Sequence, residues 1–246
     1  MIDTTVSTDL VLGRDDSANE LIGGIPVHRA IVAPLSALRA DAAKAGFDLR
    51  LVSGYRSFDR QLVIWNAKAS GARAVLDSAG VQLDINTLSE SELINAIMRW
   101  SALPGASRHH WGSDIDVYDA AAVGADYAVQ LTPDEVADSG VFGPMHQWLD
   151  LQFRNGGGHG FFRPYGEDRG GIAPERWHLS YAPLAAKCEL LASPSLLYEV
   201  LSVVSDLCLR ESVLREFTKL YARYVSVPVS CYPPEYIAGL MNKVDV

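Results

Sequence analysis

The first hundred residues alternate between two hydrophobic periodicities, one typical of helices and one typical of strands. Between Val27 and Gly46, four apolar residues recur at helical spacing: Ile31, Leu35, Leu38 and Ala42. This spacing predicts a helix, and Gly46 fits its C-terminal stop. Apolar and charged residues then alternate in the segment FDLRLVSG, which predicts a half-buried strand. A second helix is predicted to begin near Phe58, directly after the sequence SGYRS.

The middle of the chain predicts further short elements. Residues 70–88 have the composition of a loop, and Ser89 with Glu92 forms a capping-box pattern at the start of another helix. Thr132 and Glu135 repeat that pattern. The segments DIDVYD and RWHLSY predict strands, and MHQWLDLQFRNGGG predicts a helix that is ended by glycines. The segment GFFRPYGEDRGG between them is loop-like.

The two ends of the chain differ from its middle. Residues 1–25 are polar with scattered apolar positions, which predicts an arm or a weak edge strand. From Pro183 onward we expect two or three helices, the last around 211–224. The sequence therefore predicts an α+β fold, in which a small, largely antiparallel sheet is flanked by helices in residues 1–182. A helical C-terminal extension, residues 183–246, is predicted to pack on this domain, although its apolar stripe could equally form a dimer surface, so the oligomeric state stays open.

The charge and composition narrow the classes of partner. The formal net charge of -9 argues against nucleic acid, and an anionic substrate would need a local basic group. Three cysteines without a CxxC pair predict buried thiols rather than a disulfide framework: Cys188, Cys208 and Cys231. The sequence shows no signal-peptide pattern, and its most apolar run, Ser195–Leu209, is shorter than the roughly 20 residues that span a bilayer. We expect a soluble cytoplasmic protein without membrane insertion, with a periplasmic or exported location open if a leader is missing.

Metal-capable side chains are concentrated in the run SRHHWGSDIDVYD, residues 107–119. His109 precedes a Trp-Gly turn, and Gly112 allows the chain to bend there. On the strand that follows, Asp114 and Asp116 lie two residues apart and therefore share one face. Two neighbouring carboxylates repel each other unless a cation or a donor lies between them. The run therefore predicts a metal site.

A second run, ERWHLSY, supplies the remaining chemistry. Catalytic zinc usually has three protein ligands and one position left for water, and His178 is available as the third ligand. Glu175, three residues earlier, could reach the open side of the metal and act as a general base. A structural zinc site is the alternative, but such a site usually has four protein ligands.

The motifs together resemble those of the D-alanyl-D-alanine metallopeptidases. The pattern S-x-H-x-x-G-x-x-x-D begins at Ser107, and E-x-x-H begins at Glu175. The segment SGYRSFDRQ is similar to the upstream motif of the branch that contains the vancomycin-resistance D,D-carboxypeptidases. These enzymes share a zinc-peptidase fold group with lysostaphin-type peptidases and the hedgehog signalling domain. The motifs occur in the family's order between Ser53 and Tyr181, about half of the chain.

The resemblance implies a role for each matching position. It implies one zinc ion per chain with three ligands: His109, Asp116 and His178. Glu175 would be the general base and then the proton donor to the leaving amine. Arg56 would either stabilise the developing oxyanion or hold a substrate carboxylate. Four further positions would lie near the substrate, the first two along the motifs and the last two as pocket walls: Gln61, Ser107, Tyr55 and Trp177.

This sequence departs from the family pattern at two positions. Asp114 stands where the simplest form of the motif has a small residue, and we expect it to orient a ligand rather than bind metal. Arg176 stands where this branch often has proline, so it could loosen the turn that carries Glu175 or supply a charge for an anionic substrate.

The resemblance implies hydrolysis of the D-Ala-D-Ala bond of peptidoglycan-derived peptides, with a stem peptide or D-Ala-D-Ala peptide as the partner. A D,D-dipeptidase, a cell-wall endopeptidase and a non-catalytic zinc-binding domain remain alternatives. The closure of the pocket by residues 66–90 is expected to distinguish the carboxypeptidase from the dipeptidase.

The other polar residues near the motifs are assigned to structure. His110 is expected to be a packed neighbour of His109, and His159 a loop residue. His28 and His146 are assigned to helical segments. Two arginines are expected at the surface or in salt bridges: Arg163 and Arg169. Two serines are expected to fix the turn around Arg56 by bonding to the backbone: Ser53 and Ser57.

Overall fold

The computed structural model describes residues 6–241. Within that range the chain forms ten α-helices, of which α1 and α5 are only one turn long: α1 (Thr8–Val11), α2 (Val32–Lys44), α3 (Phe58–Ala69), α4 (Glu90–Met98), α5 (Pro133–Val136), α6 (Gly143–Arg154), α7 (Ala182–Leu191), α8 (Pro194–Val203), α9 (Arg210–Leu220) and α10 (Pro234–Met241). The strands of the same range are β1 (Asn19–Ile22), β2 (Ile25–His28), β3 (Leu49–Ser53), β4 (Asp114–Asp119), β5 (Phe161–Phe162) and β6 (His178–Tyr181).

Four of the strands form an antiparallel sheet in the order β3-β4-β6-β5. Ile115 and Val117 of β4 point into a core that also contains Leu179 of β6 and apolar residues of α2 and α6. Because side chains alternate across a strand, the neighbouring residues Asp114 and Asp116 face the opposite side. The predicted α+β class, with a small antiparallel sheet flanked by helices, is confirmed.

The helix predicted from Val27 is α2, which begins at Val32, five residues later than predicted. Val27 and His28 belong to strand β2, which pairs with β1 in a two-stranded hairpin. The two strands are joined by Gly23 and Gly24, with φ values of 60° and 84°. Two consecutive residues with positive φ form the tight turn that matches the twist of a hairpin, and glycine adopts it without steric cost. The helical assignment of His28 was therefore wrong. Of the two alternatives expected for residues 1–25, an arm or a weak edge strand, the structure has a strand at Asn19–Ile22. Residues 1–5 lie outside the described range.

The predicted helix starts elsewhere agree with the structure. Helix α3 begins at Phe58, and the side chain of Ser57 caps it by accepting a hydrogen bond from the backbone N–H of Arg60. The capping box of Ser89 and Glu92 is present at the start of α4.

The C-terminal extension contains more helices than predicted. Helices α7 to α10 lie in it, and α10 (Pro234–Met241) was not anticipated. Helices α8 and α9 pack on α3 and α4 through one apolar cluster, and α7 and α10 pack around Trp111 through another. Cys188 is buried as expected, whereas Cys208 and Cys231 are only partly buried, and all three are free thiols. Among residues 6–241, no helix combines the length and the apolar character needed to cross a membrane.

Candidate metal centre and active site

The central strand β4 places Asp116 between polar residues of its two neighbours. In the sheet register Asp116 lies opposite Ser53 of β3 on one side and His178 of β6 on the other. The hydroxyl of Ser53 donates a hydrogen bond to Oδ2 of Asp116. Oδ1 lies 3.3 Å from Nδ1 of His178. Ser53 therefore orients the carboxylate of Asp116. The sequence had led us to expect that Ser53 would bond to the backbone of the turn around Arg56 instead.

His109 reaches the same point from a short 3-10 turn, Arg108–Trp111. The turn ends at Gly112, whose φ is 64° and where a Cβ would lie 2.8 Å from a backbone nitrogen of β2. A side chain is thus excluded there by both backbone conformation and space. Nδ1 of His109 lies 2.8 Å from the carbonyl oxygen of Gly54, so Nδ1 carries the proton and Nε2 faces Asp116 at 3.5 Å.

The three predicted ligands converge at one point. Ligand atoms of His109, Asp116 and His178 all lie within 4.8 Å of one another, and all three residues are buried. Two of the atoms that face this point have no hydrogen-bond partner, although both are buried: Oδ1 of Asp116 and Nδ1 of His178. Buried polar atoms are nearly always paired, so an acceptor and a ring nitrogen left free at one point form a site that fits a cation. Two imidazoles and one carboxylate match the donor set of catalytic zinc.

The electrostatics of these side chains also favour a cation. Burial alone would lower the pKa of His178, but the neighbouring carboxylates of Asp114 and Asp116 raise it to about 10. The site therefore attracts positive charge, and a zinc ion would take the place of the proton on Nδ1. Burial would raise the pKa of Asp116, but His109 and His178 hold it well below its usual range. For His109 burial dominates and lowers the pKa to about 4. A neutral His109 has the free lone pair that a metal ligand requires.

Glu175 lies beside the cluster as a fourth side chain. Its Oε2 is 3.6 Å from Nδ1 of His178. Its backbone is fixed in a tight turn, because the N–H of Glu175 donates to the carbonyl of Tyr165 and the N–H of His178 donates to the carbonyl of Glu175. Burial raises the pKa of Glu175 to about 7, and the charge of Asp116 contributes in the same direction. A carboxylate with a pKa near neutrality is suited to take up and release a proton.

These residues line one cavity of mixed character. The polar part of its wall contains Arg56, Ser107, His109, Asp116, Glu175 and His178. The apolar part contains Leu76, Trp100, Leu131, Ile172 and Trp177. Ser107 and Trp177, which the sequence predicted to lie near the substrate, both line this cavity.

Arg108, which also lines the cavity, is paired with Asp114 and Glu189, so the available positive charge is that of Arg56. Among residues 6–241 no carboxylate forms an ion pair with it, so its guanidinium is available to an anionic group. Gln61 stands behind it: Nη1 of Arg56 donates a 2.9 Å hydrogen bond to Oε1 of Gln61, and Nε2 of Gln61 donates to the carbonyl of Ala102. Gln61 is fully buried and does not line the cavity, so it orients Arg56 rather than binding substrate directly.

Asp114 is adjacent to the ligand cluster, where it orients a ligand. Its Oδ1 accepts a 2.9 Å hydrogen bond from Nε2 of His178, which leaves Nδ1 of that ring directed at Asp116. The other oxygen accepts from the hydroxyls of Ser113 and Ser180. The carboxylate therefore holds the imidazole in one tautomer, as the sequence led us to expect.

Two predicted residues lie away from the cavity. The hydroxyl of Tyr55 donates to the carbonyl of Gly13, and its side chain is not part of the cavity wall. Arg176 binds the carboxylates of Asp138 and Asp150 and the carbonyl of Val136. It thus anchors the segment beside Glu175 and offers no charge to the cavity.

The remaining histidines are structural. Nε2 of His110 accepts from the N–H of Gly105, so Nδ1 carries the proton and donates to the carbonyl of Arg56. His146 lies fully buried in α6, and His159 bonds to Asp41 on a partly exposed loop. Of the two arginines, Arg163 pairs with Asp150, and Arg169 donates to the carbonyl of Pro164.

The sequence did not single out two residues that contact the site. The ring of Tyr165 packs edge-on against His178 with centroids 5.1 Å apart, and Tyr165 lines the cavity. Arg108 donates to Asp114 from a buried position. Tyr165 lies in a loop-like segment without periodicity, and nothing in its surroundings in the sequence indicates its place. Arg108 stands beside His109 and only six residues before Asp114, but its other partners are distant in sequence: Ser180, Glu189 and Tyr232.

The chain has relatives among known proteins. Two uncharacterized proteins of Haemophilus influenzae are similar to it, one 49% identical over 72 residues and the other 31% identical over 97 residues. These matches cover 29% and 39% of this chain, and they span about half of the first relative and 72% of the second.

Solved structures are similar at lower identity. VanYB in complex with D-alanine-D-alanine has a TM-score of 0.48 and 21% identity, over 76% of this chain and 89% of that one. A mutant of the vancomycin resistance D,D-pentapeptidase VanY in complex with Zn(II) has a TM-score of 0.47 and 22% identity, over 71% and 84%. The LdcB LD-carboxypeptidase has a TM-score of 0.46 and 23% identity, over 72% and 68%.

A family model matches a much longer segment than either curated relative. The model describes VanY, D-alanyl-D-alanine carboxypeptidase, and it matches residues 24–184. This segment contains each predicted metal ligand together with Glu175 and Arg56. Because the match extends over more than half of the 246 residues, the chain belongs to the VanY D-alanyl-D-alanine carboxypeptidase family.

Proposed function

We propose that the protein is a zinc-dependent peptidase that removes the terminal D-alanine from peptidoglycan-derived peptides ending in D-Ala-D-Ala. The observation that carries this proposal is the position of Glu175. This carboxylate, with its pKa near 7, lies 3.6 Å from a ring nitrogen of the metal-ligand cluster and lines the same cavity as Arg56. A zinc site that served only the fold would have no use for a protonatable carboxylate and an unpaired cation in one cavity.

Three parts of the site have separate roles in the reaction: the metal site, Glu175 and Arg56. His109, Asp116 and His178 would hold the zinc ion, which supplies Lewis acidity and lowers the pKa of water to about 7. Glu175 takes a proton from the attacking water and passes it to the nitrogen of the leaving D-alanine. Arg56 binds negative charge on the substrate, either the terminal carboxylate or the oxygen of the tetrahedral intermediate. Its planar fork suits both tasks, and its hydrogen bond to Gln61 fixes its direction.

The substrate has features that this cavity can recognise. A terminal carboxylate matches the one cationic side chain of the wall that has no ion-pair partner within residues 6–241, and the methyl groups of alanine match the apolar wall formed by Trp100, Leu131 and Trp177. The protein as a whole carries a net charge of -9, so attraction of an anionic peptide has to come from this local charge.

A D,D-dipeptidase is the second candidate, because the loop of residues 70–88 closes one side of the cavity. Leu76 of this loop is part of the cavity wall, and the indole N–H of Trp100 donates a 2.9 Å hydrogen bond to the carbonyl of Asp77. A loop fastened in this way would restrict the N-terminal side of a longer peptide.

The test is the release of D-alanine by the zinc-loaded protein from UDP-linked muramyl pentapeptide and from free D-Ala-D-Ala, with Glu175→Gln as the control. Release from the pentapeptide supports the carboxypeptidase, and release from the dipeptide alone supports the dipeptidase. Absence of release from both substrates by protein that holds zinc would overturn the proposed D,D-peptidase activity.

A further inference from the structure

Arg108 is a buried cation directly behind the metal-ligand cluster, and only 4% of its surface is exposed. Its guanidinium has four polar partners from three parts of the chain. Nε donates to Asp114 at 2.8 Å, Nη2 donates to Ser180 at 2.7 Å, and Nη1 donates to Glu189 at 2.9 Å and to the hydroxyl of Tyr232 at 3.1 Å. A buried arginine with this many directed contacts has one fixed position, because its planar fork must meet all of them together.

The connection from Arg108 to the metal site runs through a single atom. Oδ1 of Asp114 accepts both the Nε–H of Arg108 and, at 2.9 Å, the Nε2–H of His178. That second bond leaves Nδ1 as the ring nitrogen that faces Asp116. The orientation of the predicted zinc ligand is therefore determined by a carboxylate that is held by Arg108 at one oxygen and by the hydroxyls of Ser113 and Ser180 at the other.

The other side of Arg108 is held by the C-terminal extension. Glu189 lies on α7, and Tyr232 lies between α9 and α10. The hydroxyl of Tyr232 also lies 3.1 Å from the carboxylate of Glu189, so the two residues form one acceptor group for the guanidinium. The single buried positive charge of Arg108 is thus paired with two carboxylates, that of Asp114 in the sheet and that of Glu189 in the extension.

We propose that Arg108 is a positioning residue for the zinc ligand His178, and that Glu189 and Tyr232 of the extension complete its setting. The partners that fix the distal nitrogen of a ligating histidine typically change metal affinity by 10–100-fold when they are lost. Removing Glu189 leaves the charge of Arg108 balanced only by Asp114, which draws the guanidinium toward that carboxylate and alters the bond to His178. The extension is in this way a part of the metal site and more than a packing element.

The test measures zinc binding by the full-length protein, so it does not depend on turnover. The zinc dissociation constant is obtained by competition with a chromogenic chelator, and the visible spectrum of the cobalt(II)-substituted protein reports ligand geometry. The variants are Glu189→Gln, Asp114→Asn and their combination. Asp119→Asn is the matched control, because Asp119 is a buried carboxylate on the same strand that bonds to backbone N–H groups at the other end.

We expect Asp114→Asn to weaken zinc binding by about 10–100-fold and Glu189→Gln by a smaller factor of at least about three, each with an altered cobalt spectrum. Because the effect of Glu189 passes through Asp114, the double variant should bind zinc no more weakly than Asp114→Asn alone. The control should lower thermal stability and leave the dissociation constant unchanged.

A purely structural Arg108 would give a different pattern. In that case Glu189→Gln would lower the unfolding temperature while the zinc dissociation constant and the cobalt spectrum stayed those of the wild type, and the proposal would be wrong. Tyr232→Phe keeps the packed ring and provides the same comparison if Glu189→Gln folds poorly. The proposal rests on the zinc site proposed above: wild-type protein that binds no zinc overturns both, whereas tight wild-type binding with unaffected variants overturns this inference alone.

Discussion

Arg56 points one guanidinium nitrogen at the side-chain oxygen of Gln61, 2.9 Å away. The amide of Gln61 can take only one orientation, because its Nε2 donates to the carbonyl of Ala102 and a carbonyl cannot donate in return. The oxygen is therefore always presented to the arginine. Gln61 is fully buried, so this contact is protected from competing water. The pair determines where the cavity presents its positive charge.

Replacement of Gln61 tests this arrangement. Gln61→Met keeps the approximate volume but removes the acceptor, and we expect kcat/KM to fall by about 10–100-fold, which corresponds to about 1.5–3 kcal/mol for a hydrogen bond to a charged group. Arg56→Lys should cost about as much as the loss of an oxyanion donor, about 2.7–4 kcal/mol. Steady-state kinetics on the proposed D-Ala-D-Ala peptide substrate measures both effects. Zinc content should remain that of the wild type, and a Gln61→Met enzyme with unchanged kcat/KM would contradict the role given to Gln61.

Glu175→Gln separates proton transfer from metal binding. Glutamine cannot take a proton from water, so turnover should fall by at least the roughly 10²–10⁴-fold that a general base supplies. Zinc should stay bound, because the three ligands are other residues. The fold should be at least as stable as before, since burial disfavours the charged form of Glu175 and raises its pKa to about 7. His109→Ala is the converse control, in which zinc itself is lost. Near-normal turnover by Glu175→Gln would refute the mechanism.

Removal of zinc should destabilise the protein measurably. The ligand cluster forms only in the folded chain, so zinc at 100 to 1,000 times its dissociation constant adds about 2.7–4.1 kcal/mol to the free energy of unfolding. For a chain of this size that corresponds to an unfolding temperature about 5–15 °C lower after chelation. Differential scanning calorimetry with and without chelator measures the shift, and His109→Ala should show none. An equal shift in wild type and His109→Ala would place the stabilising zinc elsewhere.

The sequence predicted the reacting side chains better than the residues that hold them. His109, Asp116, His178 and Glu175 lie in short motifs whose chemistry is local, and the strand alternation that separates Asp116 from Ile115 can be read from adjacent letters. The hairpin of β1 and β2 was also readable, because Gly23 and Gly24 are a typical two-residue turn. The helical spacing that continues from Val27 obscured it.

The supporting residues could not be found in this way, because their partners are distant along the chain. Arg108 meets Glu189 and Tyr232, which are 81 and 124 residues away. Ser53 bonds to Asp116 across 63 residues. The strand register brings Ser53 to Asp116, and the packing of the C-terminal helices brings Glu189 and Tyr232 to Arg108. Neither arrangement can be read from neighbouring residues in the sequence.

The buried histidine of α6 should make the fold sensitive to acid. His146 lies on α6 and is fully buried. Nη2 of Arg163 donates a 3.1 Å hydrogen bond to Nδ1 of its ring. Burial, assisted by the positive charges of Arg163 and Arg176, lowers the pKa of His146 to about 3. In the unfolded chain the pKa returns to about 6.5. Below pH 6.5 the unfolded state therefore binds a proton that the folded state does not, so the free energy of unfolding falls as the pH falls from about 6.5 toward 3.

His146→Gln isolates this contribution. Glutamine keeps an acceptor for Arg163 and does not titrate, so the variant should lose less stability on acidification than the wild type. With a slope of at most about 1.4 kcal/mol per pH unit, the two proteins should differ by about 2 kcal/mol more at pH 5 than at pH 7. Urea unfolding at several pH values measures this difference, and the titration of the other histidines cancels in the comparison. Parallel curves for the two proteins between pH 7 and pH 5 would show that His146 takes up its proton equally in the folded and unfolded states.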